Sequence, residues 1–179
     1  NTMLIAQQKK EDNIAEYILY MWQLEDIIRA NNFDIEQISK LLVEPLTIDE
    51  ETKKSISQWY KLLIDKMKNQ GIMVKGHLGE LNDLLLELQY LHNALLNVLK
   101  DQKYEHLYLS AKLNIDAFKT KLSSATKNEI DVCLNGLYGL LLLRLKKKPI
   151  NKETTEAMNS FSQMIAYLSF KYKTVNQSS

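Results

Sequence analysis

The chain has 179 residues, 45% of them hydrophobic and 25% charged, a length that suits one domain and a composition that excludes disorder. A net charge of +1 gives no general bias toward nucleic acid or a membrane surface. From the single cysteine, Cys133, no disulfide framework or cysteine-based zinc site can be built within one chain.

Asn1 and Thr2 precede Met3, the expected natural start, and NTMLIAQQKKEDN carries too short an apolar patch for a signal peptide. A cytoplasmic protein is therefore expected. Residues 1–9 are expected as an extended arm. The first strong helix spans about Lys10–Ala30, with Ile14, Tyr17, Ile18, Met21, Trp22 and Ile28 on its apolar face. Glu25 falls in the middle of that face and Arg29 one turn on, an acid before a base at i, i+4. Asn31 and Asn32 break the helix. Asp34 caps a short helix through Leu42, which ends before Pro45.

Thr47 and Glu50 have capping-box spacing, and the helix that follows runs to about Asn69. Gly71 stands where a left-handed cap is expected. The stretch GIMVKG at 71–76 reads equally as a linker, a kink or the start of the next helix. His77 to about Lys100 forms a long helix with a leucine face, and Gln102–Leu122 a clean amphipathic one. Ile130–Leu145, IDVCLNGLYGLLLLRL, is apolar nearly all round, and only Asp131, Asn135 and Arg144 interrupt it. Such a helix belongs inside a bundle. Its unbroken apolar run, Leu140–Leu143, is far short of the roughly 20 residues a bilayer needs. Thr126 with Glu129 suits its start, and the basic run through Lys148 with Pro149 suits its end. Gly136 and Gly139 cost about 1 kcal/mol each in helix propensity and point to close packing of a neighbouring helix before a ligand-contact role. Asn151 caps the last helix, which frays after Thr174, so that 174–179 is a loose tail.

The expected fold is all-α: one domain over 1–179, a bundle of about seven helices around a buried central helix near residues 128–147. Charge is uneven along it. Residues 1–60 carry 6 basic and 11 acidic side chains, residues 121–179 carry 9 and 4, which suits mutual attraction within the fold or, less simply, self-association.

No nucleophile triad, phosphate loop, dinucleotide fingerprint or paired Glu-x-x-His motif occurs, so no catalytic residue, metal ligand or cofactor is assigned. His77 and His92 fall near one leucine face about 22 Å apart, too far to share a metal ion, and read as core histidines. Glu25, Arg29 and Arg144 are the charges expected to need partners inside or at the edge of the core. A pairing of Glu25 with Arg29 or Arg144 is expected, structural before functional. Tyr17 and Trp22 lie beside it and would bound a ligand pocket if one exists. Arg144-Leu-Lys-Lys-Lys148 lacks the interleaved aromatics of a nucleic-acid patch.

AQQKKEDNIAEYILYMWQLEDIIRANN (Ala6–Asn32), KGHLGEL (Lys75–Leu81) and NGLYGLLLLRL (Asn135–Leu145) together resemble an uncharacterised all-helical domain-of-unknown-function family of Bacteroidetes-type bacteria. The resemblance implies a small cytoplasmic helical protein and carries over no catalytic residue. Two readings of function stand. The leading one is a non-enzymatic interaction or scaffold protein, self-associating as a homodimer or binding another protein, without nucleic acid or membrane. The other is a bundle that binds a small ligand near Tyr17, Trp22, Glu25 and Arg29.

Overall fold

The computed structural model describes residues 2–123 and 128–177. These form α1 (Thr2–Asp12), α2 (Ile14–Ala30), α3 (Ile35–Leu42), α4 (Glu50–Asn69), α5 (Gly79–Asn97), α6 (Gln102–Lys119), α7 (Glu129–Leu145) and α8 (Lys152–Gln177), with no strand among the described residues. The fold is all-helical, as expected. The additional helix is α1, which takes the place of the expected extended arm. Asn13 separates it from α2: its backbone is extended at φ −154°, and its side chain accepts the Glu16 N–H at 3.2 Å. Ala6 is buried, and Lys9 reaches Glu16 at 3.3 Å, so α1 gains from tertiary contacts what its short apolar patch lacks.

Caps decide the other ends. Asp34 and Asn151 cap α3 and α8 as their sequence positions indicate. Asp49, not Thr47, caps α4, because its carboxylate takes both the N–H of Thr52 at 2.8 Å and its hydroxyl at 2.7 Å. Gly71 is left-handed at φ +70°, and the amides of Gly71 and Ile72 return to the carbonyls of Lys68 and Met67, a Schellman closure. Residues 71–78 are thus a connection, and α5 begins at Gly79 rather than His77. At the start of α7 the cap is Asn128, bonded to the Asp131 N–H at 2.7 Å; Thr126 lies outside the described residues. α8 continues to Gln177, past the Thr174 where fraying is expected.

The chain divides into two compact units, Asn1–Asp83 and Leu84–Ser179. In the N-terminal unit, α1 packs on α2 and α4, and α3 on α4, over a core that includes Ile18, Trp22, Ile38, Tyr60 and Met67. In the C-terminal unit, α6 and α8 run antiparallel: Asp101 meets Tyr167, and Asn114 meets Ser160. α7 runs with α6, since Tyr108 meets Glu129 at the start of α7 while Phe118 lines one cavity with Leu143 near its end.

α7 is buried most completely at its start. Ile130, Val132, Cys133, Leu134 and Gly136 are buried, while Glu129, Asp131 and Asn135 are half-buried, so water is excluded from most but not all of the girth of those turns. Leu141, Leu142 and Leu143 are half-buried, and Arg144 and Leu145 exposed. The opening on that second half is where the candidate site lies.

Candidate functional site

Three constellations bear on function. The first holds the residues singled out from sequence. Glu25 is 1% exposed on α2, yet its partner is neither Arg29 nor Arg144. The His77 ring donates through Nδ1 to Glu25 Oε1 at 2.7 Å, and the Leu78 N–H donates to Oε2 at 2.8 Å. Gln70 Oε1 takes the next amide, that of Gly79, at 2.8 Å. Glu25 and Gln70 therefore satisfy two amide groups at the start of α5 that lack intrahelical partners. Arg29 bonds the Ile72 carbonyl through Nε and Nη2 at 3.2 and 3.1 Å, the Gly76 carbonyl through Nη2, and Asp26 at 3.2 Å. The i, i+4 pair expected on α2 is replaced because residues 72–78 offer each side chain backbone groups that need a partner.

Trp22 stacks on the His77 ring with centroids 4.3 Å apart, and the buried Tyr17 hydroxyl is pushed up to about 12 by burial and by the charge of Glu80. This set clamps a connection. Arg144 is exposed in the last turn of α7.

The second constellation joins three helices of the C-terminal unit and was not legible in the sequence. His92 is wholly buried. Its Nδ1 lies 2.6 Å from the Tyr104 hydroxyl and its Nε2 3.4 Å from Glu129 Oε1. Tyr108 donates to Glu129 Oε2 at 2.8 Å, and Lys112 stands 3.5 Å from the same oxygen. Tyr104 can donate to Nδ1 while Nε2–H donates to Glu129. The hydrogen bond from His92, with that from Tyr108 and the charge of Lys112, holds the Glu129 carboxyl down at about 2. Burial, then the charge of Glu129, pushes the Cys133 thiol well above its usual range. Burial does the same to the Tyr104 hydroxyl. Each polar group here is engaged with another, as a buried network must be.

The third is a half-open cleft of about 360 Å³ in the C-terminal unit. Gly136, Gly139, Leu140, Leu142 and Leu143 of α7 line it, with Phe118 and Met158. Lys146, Lys148 and Thr154 are the polar residues of its lining. The two glycines differ. A Cβ on Gly136 would stand 3.0 Å from the Phe161 ring and 3.2 Å from the Met158 methyl, which is the close helix packing expected. A Cβ on Gly139 would meet no protein atom within 4 Å. Nothing in the packing of α7 requires glycine there. The GxxG spacing was visible in the sequence, but which face each glycine turns to a neighbour was not.

Among the described residues no three His, Cys, Asp or Glu side chains are grouped to hold a metal ion, and no helix is long and apolar enough to cross a membrane. What fold and site define is an all-helical protein with a small apolar cleft among the helices of its C-terminal unit. The chain belongs to the family described as Domain of unknown function (DUF4924), whose model matches residues 3–179. Neither the curated proteins nor the solved structures gave a match.

Proposed function

We propose that this is a non-enzymatic helical binding protein that takes a small, mainly apolar molecule into the cleft among α6, α7 and α8. Gly139 carries the reading. A mid-helix glycine costs about 1 kcal/mol relative to alanine, and here no neighbouring helix uses the space it leaves. A volume of about 360 Å³ falls within the range of small-molecule sites. The lining has no acid, imidazole or thiol, so what it offers suits binding and orientation rather than general acid–base chemistry.

A neutral apolar fluorophore, N-phenyl-1-naphthylamine, tests the reading. Saturable emission enhancement at one site per chain is expected for the wild type, and its loss in Gly139→Leu with the circular dichroism spectrum unchanged. Absence of saturable binding to the wild type, or full binding by Gly139→Leu, ends the proposal. A second reading, self-association through α6, is supported by Leu109 and Leu113, which are 62% and 82% exposed one turn apart.

A further inference from the structure

The lining of the cleft is apolar except for Lys146, Lys148 and Thr154. Lys146 and Lys148 contribute to its lining, and no carboxylate does. Their placement follows from the end of α7. The helix closes with Lys147 left-handed at φ +53°, and the amides of Lys147 and Lys148 return to the carbonyls of Arg144 and Leu143. A β-carbon makes this conformation unfavourable, and glycine is the usual residue there. The turn nevertheless carries lysine in that position and sets Lys146 and Lys148, two residues apart, on the same cleft. Positive charge is thus concentrated on an otherwise apolar site, in a chain whose net charge is only +1.

We infer that the occupant is an amphiphilic anion, a monomeric medium-chain carboxylate, with its chain along Gly139, Leu140, Leu143 and Met158 and its head between Lys146 and Lys148. The inference rests on the cleft being a ligand site and adds the chemistry of the ligand. A cleft of about 360 Å³ is in the size range of small-molecule sites, which suits a medium-chain acid. The apolar chain supplies affinity as it leaves water, and a carboxylate gains charge-assisted hydrogen bonds from the ammonium groups that a hydroxyl head does not. Thr154, the remaining polar residue of the lining, adds a hydroxyl able to donate to the same head.

The test compares decanoate with decan-1-ol by isothermal titration, at concentrations below micelle formation, on the full chain. Decanoate is expected to bind about tenfold tighter. That advantage is expected to vanish in the Lys146→Gln, Lys148→Gln double variant, in which decanoate and decan-1-ol should bind with about equal affinity; a tenfold preference that persists in the variant overturns the inference. Both side chains are exposed, so the variant keeps the fold. Equal wild-type affinities, both abolished by Gly139→Leu, overturn the anionic head and leave the cleft as a site for neutral molecules. Binding of neither ligand, together with no uptake of the naphthylamine, overturns the cleft itself. Co-sedimentation with phosphatidylglycerol vesicles without binding of monomeric decanoate overturns the inference in favour of a membrane surface.

Discussion

Glu129 keeps its charge in a half-buried position because His92, Tyr108 and Lys112 all present donors to it. Its carboxyl is held at about 2 in the folded chain against an ordinary value of 4.5. A carboxyl depressed by folding contributes stability in full above the unfolded value, and that contribution is lost as pH falls through the folded one. The expected window is therefore between about pH 4.5 and pH 2. Glu129→Gln should lower stability at pH 7 by about 1–3 kcal/mol, since the amide cannot accept from every donor that the carboxylate serves. It should also flatten the loss of stability on acidification. Urea unfolding of both proteins at pH 7 and pH 3 measures this, and equal losses between the two pH values would remove Glu129 as the acid-sensitive group. His92 and Glu129 are 37 residues apart on different helices, so no spacing rule joins them. Glu25 and His77 are separated by 52 residues, and the sequence exposed Glu25 as an anomaly without disclosing its partner. Periodicity reports which residues share a face of one helix, and convergence of faces from several helices is fixed only by packing.

At the scale of the helix, α7 combines two glycines with opposite roles. Gly136→Ala places a methyl 3.0–3.2 Å from Phe161 and Met158, and should destabilise by about 1–3 kcal/mol through overpacking. Gly139→Ala meets no atom within 4 Å and should stabilise by about 0.5–1 kcal/mol through helix propensity. Thermal unfolding followed at 222 nm, a wavelength at which helix dominates, separates the two. A loss of stability in Gly139→Ala would mean that α7 needs glycine for its own packing and would weaken the case for a ligand. Most element types were legible: the wide apolar faces of α2, α4, α6 and α8, and the apolar girth of α7, require helices whatever their partners. The misses are local. The apolar patch of α1, centred on Leu4, Ile5 and Ala6, is too small to mark a helix without α2 and α4 beside it. Thr47–Glu50 and Asp49–Thr52 share the same spacing, and the second wins because Asp49 accepts two hydrogen bonds from one residue.

For the molecule as a whole, a net charge of +1 offers little electrostatic resistance to association. Leu109 and Leu113 form one exposed ridge of α6, with the exposed His106 and Ala117 at helical spacing on either side. Two copies related by a two-fold axis would present this ridge to itself, so each leucine would lose water without a second kind of surface. A stable contact needs roughly 1,000 Å² in total, more than two leucines supply, so neighbouring side chains must join. The uneven charge along the chain offers a competing cause: 6 basic and 11 acidic side chains in residues 1–60, against 9 and 4 in residues 121–179, could pair between copies. Salt separates the two causes, since charge pairing at the surface weakens as the screening length falls and apolar burial does not. Light scattering on the wild type should give a dimer that persists in 1 M sodium chloride, where the Debye length is about 3 Å. Leu113→Glu, which sets like charges across the axis, should give a monomer with unchanged helicity. A dimer that dissociates in salt and survives Leu113→Glu assigns association to the charged segments. A wild type that is monomeric at every concentration leaves the cleft as the seat of function, and the leucine ridge as solvent-facing surface.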